Sequence, residues 1–274
     1  MGAHRDAKGV SMKNKGRVLL LSSLMCLLAA GSSWADGGAD LAPYAFSREF
    51  RGRAFLAQAS PVAKEGDNDI ASQEEMLPDP FEPINRAFFE FNDKLYFLVL
   101  KPVARGYSFV LPEKVRVGIS NVFRNLVFPV RFVNCLFQGK LEGASVELGS
   151  FLLNSIGGMG GFFDIAGAAG VRKYDEDLGQ SLAVAGIGPG FYINWPLLGP
   201  STLRGTFGAV GDAFLDPFWY LESAGARWTA RAVNTVNATS LNIGDYESLK
   251  KAALDPYVAL RDAYYQNRLK RIKE

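Results

Sequence analysis

Pro83-Ile84-Asn85-Arg86-Ala87-Phe88-Phe89-Glu90-Phe91-Asn92-Asp93-Lys94-Leu95-Tyr96-Phe97-Leu98-Val99-Leu100 sets how the rest of the chain is read. Ile84, Ala87, Phe88, Phe91, Leu95 and Leu98 recur at helical spacing, and Arg86, Glu90, Asp93 and Lys94 take much of the other face. Pro83 suits a first helical turn, where its missing N–H costs nothing, and Pro102 is expected to end the segment. The pattern continues downstream. Val115, Ile119, Val122, Leu126, Val130, Val133 and Phe137 form a stripe between Pro112 and Gly139, which Pro129 is expected to kink or split. Further helices are expected near residues 141–156, 203–221, 225–237, 246–254 and 256–272. Alternation of the strand kind is scarce. The chain reads as mainly α, with room for one short β-hairpin and no internal repeat.

Upstream, Lys13, Lys15 and Arg17 precede an apolar run from Val18 to Ala30, and Ser33-Trp34-Ala35 offers small residues around a cleavage point. Residues 1–35 therefore read as a secretory signal peptide, with Met12 a plausible start. Residues 36–78 read as a flexible tether, and residues 79–274 as the folded domain. The whole chain carries 30 basic and 28 acidic residues, whereas removal of the leader leaves 25 basic and 27 acidic. The slight basicity thus belongs to the leader, and nucleic-acid binding has no electrostatic support.

The catalytic repertoire is narrow. The single histidine, His4, lies in the leader, so histidine bases, Ser-His-Asp and Cys-His sites and histidine metal sites are excluded from the mature chain. Cys135 is then the one remaining thiol and reads as buried and inert. Gly143-Ala144-Ser145-Val146-Glu147 falls short of a nucleophile elbow, and Gly158-Met159-Gly160-Gly161 lacks the strand and βαβ unit of a dinucleotide fingerprint. Asp175-Glu176-Asp177 is a possible cation site, but the expectation is a solvated charge run. No cofactor, metal or catalytic residue is read from the sequence.

Leu178 to Leu203 is 26 residues without Asp, Glu, Lys or Arg, and Leu148 to Phe163 is 16 more. Both are rich in glycine, and the longer holds Pro189, Pro196 and Pro200, so neither reads as a plain transmembrane helix. Irregular backbone at membrane depth is tolerated only under protein cover or along a wet cavity. Two arrangements remain open. One is a ring-like helical body lying in one leaflet, with these loops around a passage; the other is a soluble fold with the loops in its core.

Asp79-Pro80-Phe81-Glu82-Pro83-Ile84-Asn85-Arg86-Ala87-Phe88-Phe89-Glu90-Phe91-Asn92 resembles the opening signature of the MlaA/VacJ family of outer-membrane phospholipid-transport proteins. The resemblance continues at Gly118-Ile119-Ser120-Asn121, through Phe151 to Asp164, at Gly188-Pro189-Gly190-Phe191-Tyr192 and Gly199-Pro200-Ser201-Thr202-Leu203-Arg204, and at Asp255-Pro256-Tyr257 with Arg261 and Tyr264. It implies a non-enzymatic helical ring of amphipathic helices in the periplasmic leaflet of the Gram-negative outer membrane. Such a ring would take mislocalised phospholipid from the outer leaflet through an amphipathic channel to a periplasmic lipid carrier, in the company of a trimeric porin. Many family members are lipoproteins. Here Cys26 is followed by more apolar leader residues, so no lipid anchor is expected.

Within this resemblance, Asp79, Pro80, Glu82, Asn85, Arg86 and Asn92 are expected to fix the first helix against its neighbours. Asn121 and Asn125, one helical turn apart, either present amides to the passage or bond between helices. Gly157, Gly158, Gly160 and Gly161 are candidates for a hinge beside it or for close helix packing, and Phe162 and Phe163 for an apolar rim. Trp195 is a candidate interface anchor. The competing functions are a soluble periplasmic lipid-binding module and an envelope hydrolase working through a carboxylate pair.

Overall fold

The computed structural model describes residues 77–274; the leader, the tether and Cys26 lie outside the described residues. Helix α1 (Glu82–Leu95) opens with Pro83 in its first turn and Glu82 at its positive end. It does not stop at Pro102. A π-helical turn (Tyr96–Leu100) leads without a break into α2 (Lys101–Val110). An unbroken α-helix would aim a carbonyl at a proline nitrogen that has no hydrogen. The widened turn shifts the ladder instead, the Lys101 N–H bonding the Tyr96 carbonyl five residues back.

Pro129 does split its segment. Helix α3 (Glu113–Leu126) ends at Val127, and α4 (Phe128–Phe137) carries Pro129 in its first turn. Helix α5 (Leu141–Ile156) has the expected bounds. A glycine loop and the single turn α6 (Ile165–Ala168) follow.

The charge-free run is less irregular than its composition suggests. It opens with helix α7 (Leu178–Val184), capped by the Asp177 side chain, and ends in an antiparallel hairpin of β1 (Tyr192–Trp195) and β2 (Gly199–Thr202). Tyr192 pairs with Thr202 and Trp195 with Gly199. Helix α8 (Leu203–Ala213) starts at a Thr202 cap and ends eight residues short of the expected Leu221. Pro217 disfavours helical backbone at Asp216, and a 3-10 turn (Pro217–Tyr220) takes over. Helices α9 (Ala224–Leu241), α10 (Asp245–Ala252) and α11 (Pro256–Lys273) complete the chain, α9 and α11 capped by Ser223 and Asp255.

The elements pack in a closed circuit. Helix α2 lies on α9, α9 on α3, α3 on α4, α4 on α7, α7 on α8, α8 on β2, and β1 back on α1. Helix α5 flanks the circuit against α4, and α11 braces it at α7 and β2. Two separate clusters stand out among the buried apolar residues. Phe89, Tyr192, Leu249, Tyr257, Leu260 and Tyr264 join α1, the hairpin, α10 and α11. Cys135, Ala144 and Tyr174 join α4 and α5, and burial pushes the Cys135 thiol up to about 12, as an inert thiol requires.

Candidate functional site

The site begins where α5 runs out. The Gly161 N–H donates to the Asn154 carbonyl (2.8 Å) and the Gly160 N–H to that of Ser155 (3.0 Å), folding the chain back on its own helix end. Met159, Gly160 and Gly161 all lie in the left-handed region. A Cβ on Gly158 would stand 2.2 Å from the Phe163 carbonyl oxygen, and one on Gly161 2.5 Å from the Asn125 Cβ, so side chains are excluded from both.

Helix α3 clamps the far limb of this loop. The Asn121 amide donates to the Phe162 carbonyl (3.3 Å), and the Asn125 amide to Ser155 Oγ (2.8 Å) and, more weakly, to the Gly160 carbonyl (3.4 Å). The Phe162 ring seats on the bare backbone of Gly118. The structure thus brings Asn121 and Asn125 together with the four candidate glycines and divides the two phenylalanines. Phe162 turns inward, whereas Phe163 is 53% and Met159 74% exposed.

The signature residues gather at a second place, where the ends of the domain meet the hairpin. The Asn85 side chain accepts from the Asn194 N–H (2.9 Å) and donates to the Tyr192 carbonyl (3.2 Å) and to Asp79 (2.7 Å). Asn92, two turns on, bridges the Leu197 N–H (2.8 Å) and the Trp195 carbonyl (2.9 Å). Asp79 also accepts from the Tyr257 hydroxyl and faces Arg261 at 3.7 Å. Burial, then the Asp79 carboxylate, pushes that hydroxyl well above its ordinary pKa. Arg86 spans Glu82 and Asp255 at 2.7 Å each, above the Tyr257 ring. Its guanidinium holds Asp255 below the usual carboxylate range. Pro80 sits exposed in the turn that leads into α1. Trp195 is half-buried and donates from Nε1 to Thr206 (3.0 Å).

Asp175-Glu176-Asp177 is not a solvated run. Glu176 and Asp177 are buried, Glu176 bonding Lys140 (2.8 Å) and Asp177 paired with Arg268 (2.6 and 2.8 Å); Asp175 takes Arg124. Each carboxylate meets a cation from a distant part of the chain, which a local charge pattern cannot reveal. Sequence reasoning also missed Arg124, Arg131, Glu147 and Lys173. They line, with Asn121 and Asn125, a polar cleft of about 390 Å3 including its open mouth. A signal was there: Arg131 and Glu147 are lone charges in apolar stretches of α4 and α5 and pair at 2.7 Å.

A family model described as MlaA lipoprotein matches residues 77–271. The chain is 34% identical over 219 residues to the intermembrane phospholipid transport system lipoprotein MlaA of Haemophilus influenzae, covering 77% of this chain and 86% of the relative. It is 34% identical over 195 residues to the protein of that name in Escherichia coli, covering 69% and 76%. A solved structure described as "Structural basis for maintenance of bacterial outer membrane lipid asymmetry" superposes with a TM-score of 0.62 at 30% identity, over 71% of this chain and 98% of that one. The relatives' names correct one expectation. A chain without a lipid anchor runs against the word lipoprotein, and the apolar residues after Cys26 are too slight a reason to set it aside. With the signature residues clasping the two ends of a mainly α domain, and the match running over nearly all of it, the chain belongs to the MlaA lipoprotein family.

Proposed function

We propose that this chain is a phospholipid-transport component of the outer membrane, taking mislocalised phospholipid from the outer leaflet and passing it inward to a periplasmic carrier. Its helical body lies in the periplasmic leaflet, around an amphipathic passage, beside a porin. One observation carries the reading. Large apolar side chains stand exposed on successive elements, among them Leu98, Phe109, Phe137, Leu141, Ile156 and Phe207, yet no helix among the described residues is long and apolar enough to cross a membrane. Soluble monomers rarely expose contiguous apolar patches above roughly a few hundred Å2. A body sunk into one leaflet accounts for both facts.

The rest of the geometry supports the passage. A phospholipid carries a charged head and apolar tails, and bare hydrocarbon opposes the head by its desolvation cost. A ring of helices lowers that cost if it offers polar groups along the passage and apolar side chains outside, and the packed circuit with its exposed apolar residues fits such a ring. The glycine loop is the moving part in this reading: anchored at Phe162 by α3, it leaves the Met159 side chain exposed and open space where a Gly160 side chain would stand. The role is transport without bond making or breaking.

The test is genetic. Deleting the gene from its own bacterium should raise phospholipid in the outer leaflet and sensitise cells to detergent with EDTA. The wild-type chain should restore the barrier, and Gly160→Asp should restore it poorly while accumulating normally. A deletion strain with an intact barrier contradicts the proposal.

A further inference from the structure

The cleft beside the glycine loop is unbalanced in its hydrogen-bonding groups. Its two carboxylates are occupied from within. Glu147 takes the Arg131 Nε (2.7 Å) and the Tyr174 N–H (3.1 Å); Asp164 takes the Gly167 N–H (2.9 Å), the Asn154 amide (3.1 Å) and Lys173. The cations are not used up. Arg131 is 6% exposed and donates only from Nε and, once, from Nη1 to the Arg124 carbonyl (2.8 Å). Three of the five N–H groups of a guanidinium are therefore left without a protein acceptor among the described residues. Lys173 commits itself to Asp164, and Arg124 to Asp175, the Tyr174 carbonyl and, at 3.7 Å, Glu147. Burial and the nearby Arg124 charge both press the Arg131 pKa down, a strain that an incoming anion relieves.

We propose that this cleft is an anion subsite that holds one phosphoryl group, with Arg131 as its buried fork and Arg124 and Lys173 at its mouth. A planar guanidinium with a free edge suits two oxygens of a phosphate, and Lys173 adds a mobile charge. Asn121 and Asn125 line the same cleft and hold the glycine loop on their other side, so an occupied site abuts the loop. The phosphoryl group belongs either to a phospholipid headgroup, an assignment that rests on the transport reading above, or to free phosphate.

Calorimetric titration of the purified full chain in non-ionic detergent decides this. The probes are inorganic phosphate, dihexanoyl phosphatidylglycerol and dihexanoylglycerol. The first two are expected to bind in competition and the third, which lacks phosphate, not to compete. Arg131→Gln and Lys173→Gln should each weaken phosphoryl binding by about tenfold or more. Lys173 is half-exposed, so its variant reports on the site even where loss of Arg131 costs the fold. Binding of phosphate but not of the phospholipid overturns the headgroup assignment. Equal affinity for the phospholipid and dihexanoylglycerol, or full affinity in Lys173→Gln, overturns the subsite. The barrier assay keeps the two readings apart. A chain that restores the barrier but shows no Lys173-dependent binding loses the subsite alone; one that binds through Lys173 but has no barrier role loses the transport reading.

Discussion

The stretch from Leu77 to Leu221 and the three helices after it handle their apolar residues in opposite ways. Of the twenty-six large hydrophobic residues that stand exposed among the described residues, twenty-five lie in the first stretch and only Leu254 in the second. Helices α10 and α11 turn Leu249, Tyr257, Leu260 and Tyr264 into the cluster shared with Phe89 and Tyr192, and α11 ends in Lys270, Arg271 and Lys273. A chain that buries its apolar side chains in its last helices and leaves many out elsewhere fits, on the transport reading proposed above, two different surroundings. In that reading the first stretch faces lipid and the last helices water, and the clasp of signature residues holds the two together.

Breaking either of two buried polar networks should have the largest effects, and the clasp is one of them. Asn85→Ala removes an amide that is 2% exposed and bonded to the hairpin backbone in both directions. Each buried group left unsatisfied costs about 1–3 kcal/mol, so a loss of about 2–4 kcal/mol is expected in chemical unfolding of the detergent-solubilised chain. The other is the charge pair of the first stretch, where the expected loss is at least as large. Arg131→Met leaves Glu147 buried without its main partner and should cost about 3–5 kcal/mol. Arg131→Met with Glu147→Leu should recover most of this, and a double-mutant cycle measures the recovery.

The comparison itself is sharpened by Leu152→Asp, 47% exposed on α5, against Ser248→Asp, exposed on α10. Both should leave stability in detergent within about 0.5 kcal/mol, the usual range for surface changes. Only Leu152→Asp should weaken association with vesicles, since a carboxylate at hydrocarbon depth costs about 2.5–3.5 kcal/mol. A flotation assay reads the difference. The smallest effect concerns acid. Burial alone would raise Glu247, but the Lys101 and Tyr96 hydrogen bonds hold it below its ordinary value. Its contribution is therefore fully present above the unfolded glutamate value of about 4.3 and is lost as pH falls through the folded one. Glu247→Gln should remove that contribution at neutral pH, a small loss of stability there, and flatten the decline below pH of about 4.

Much of the architecture was legible in the sequence because helical periodicity is a local signal. Helix α5 falls on its expected bounds, and the split at Pro129 follows from a missing N–H. What stayed hidden depended on distant partners or local compensation. Pro102 reads as a terminator until the π turn before it is known. Helix α7 is short and glycine-containing, and its Asp177 cap belonged to a run read as solvated. Asn121 and Asn125 were recognisable as a pair one turn apart. That they grip the glycine loop rests on contacts 30 to 41 residues apart. The cleft was invisible for the same reason, since Arg131 and Lys173 come together only in three dimensions.

Spin labels at Ile156 and Ser248, in the chain reconstituted into outer-membrane lipid, test the division into two solvents most directly. The account predicts that the label at Ile156 relaxes with dissolved oxygen and is shielded from a water-soluble nickel chelate, and that the label at Ser248 behaves in the reverse way. Free access of the nickel chelate to both positions would contradict it.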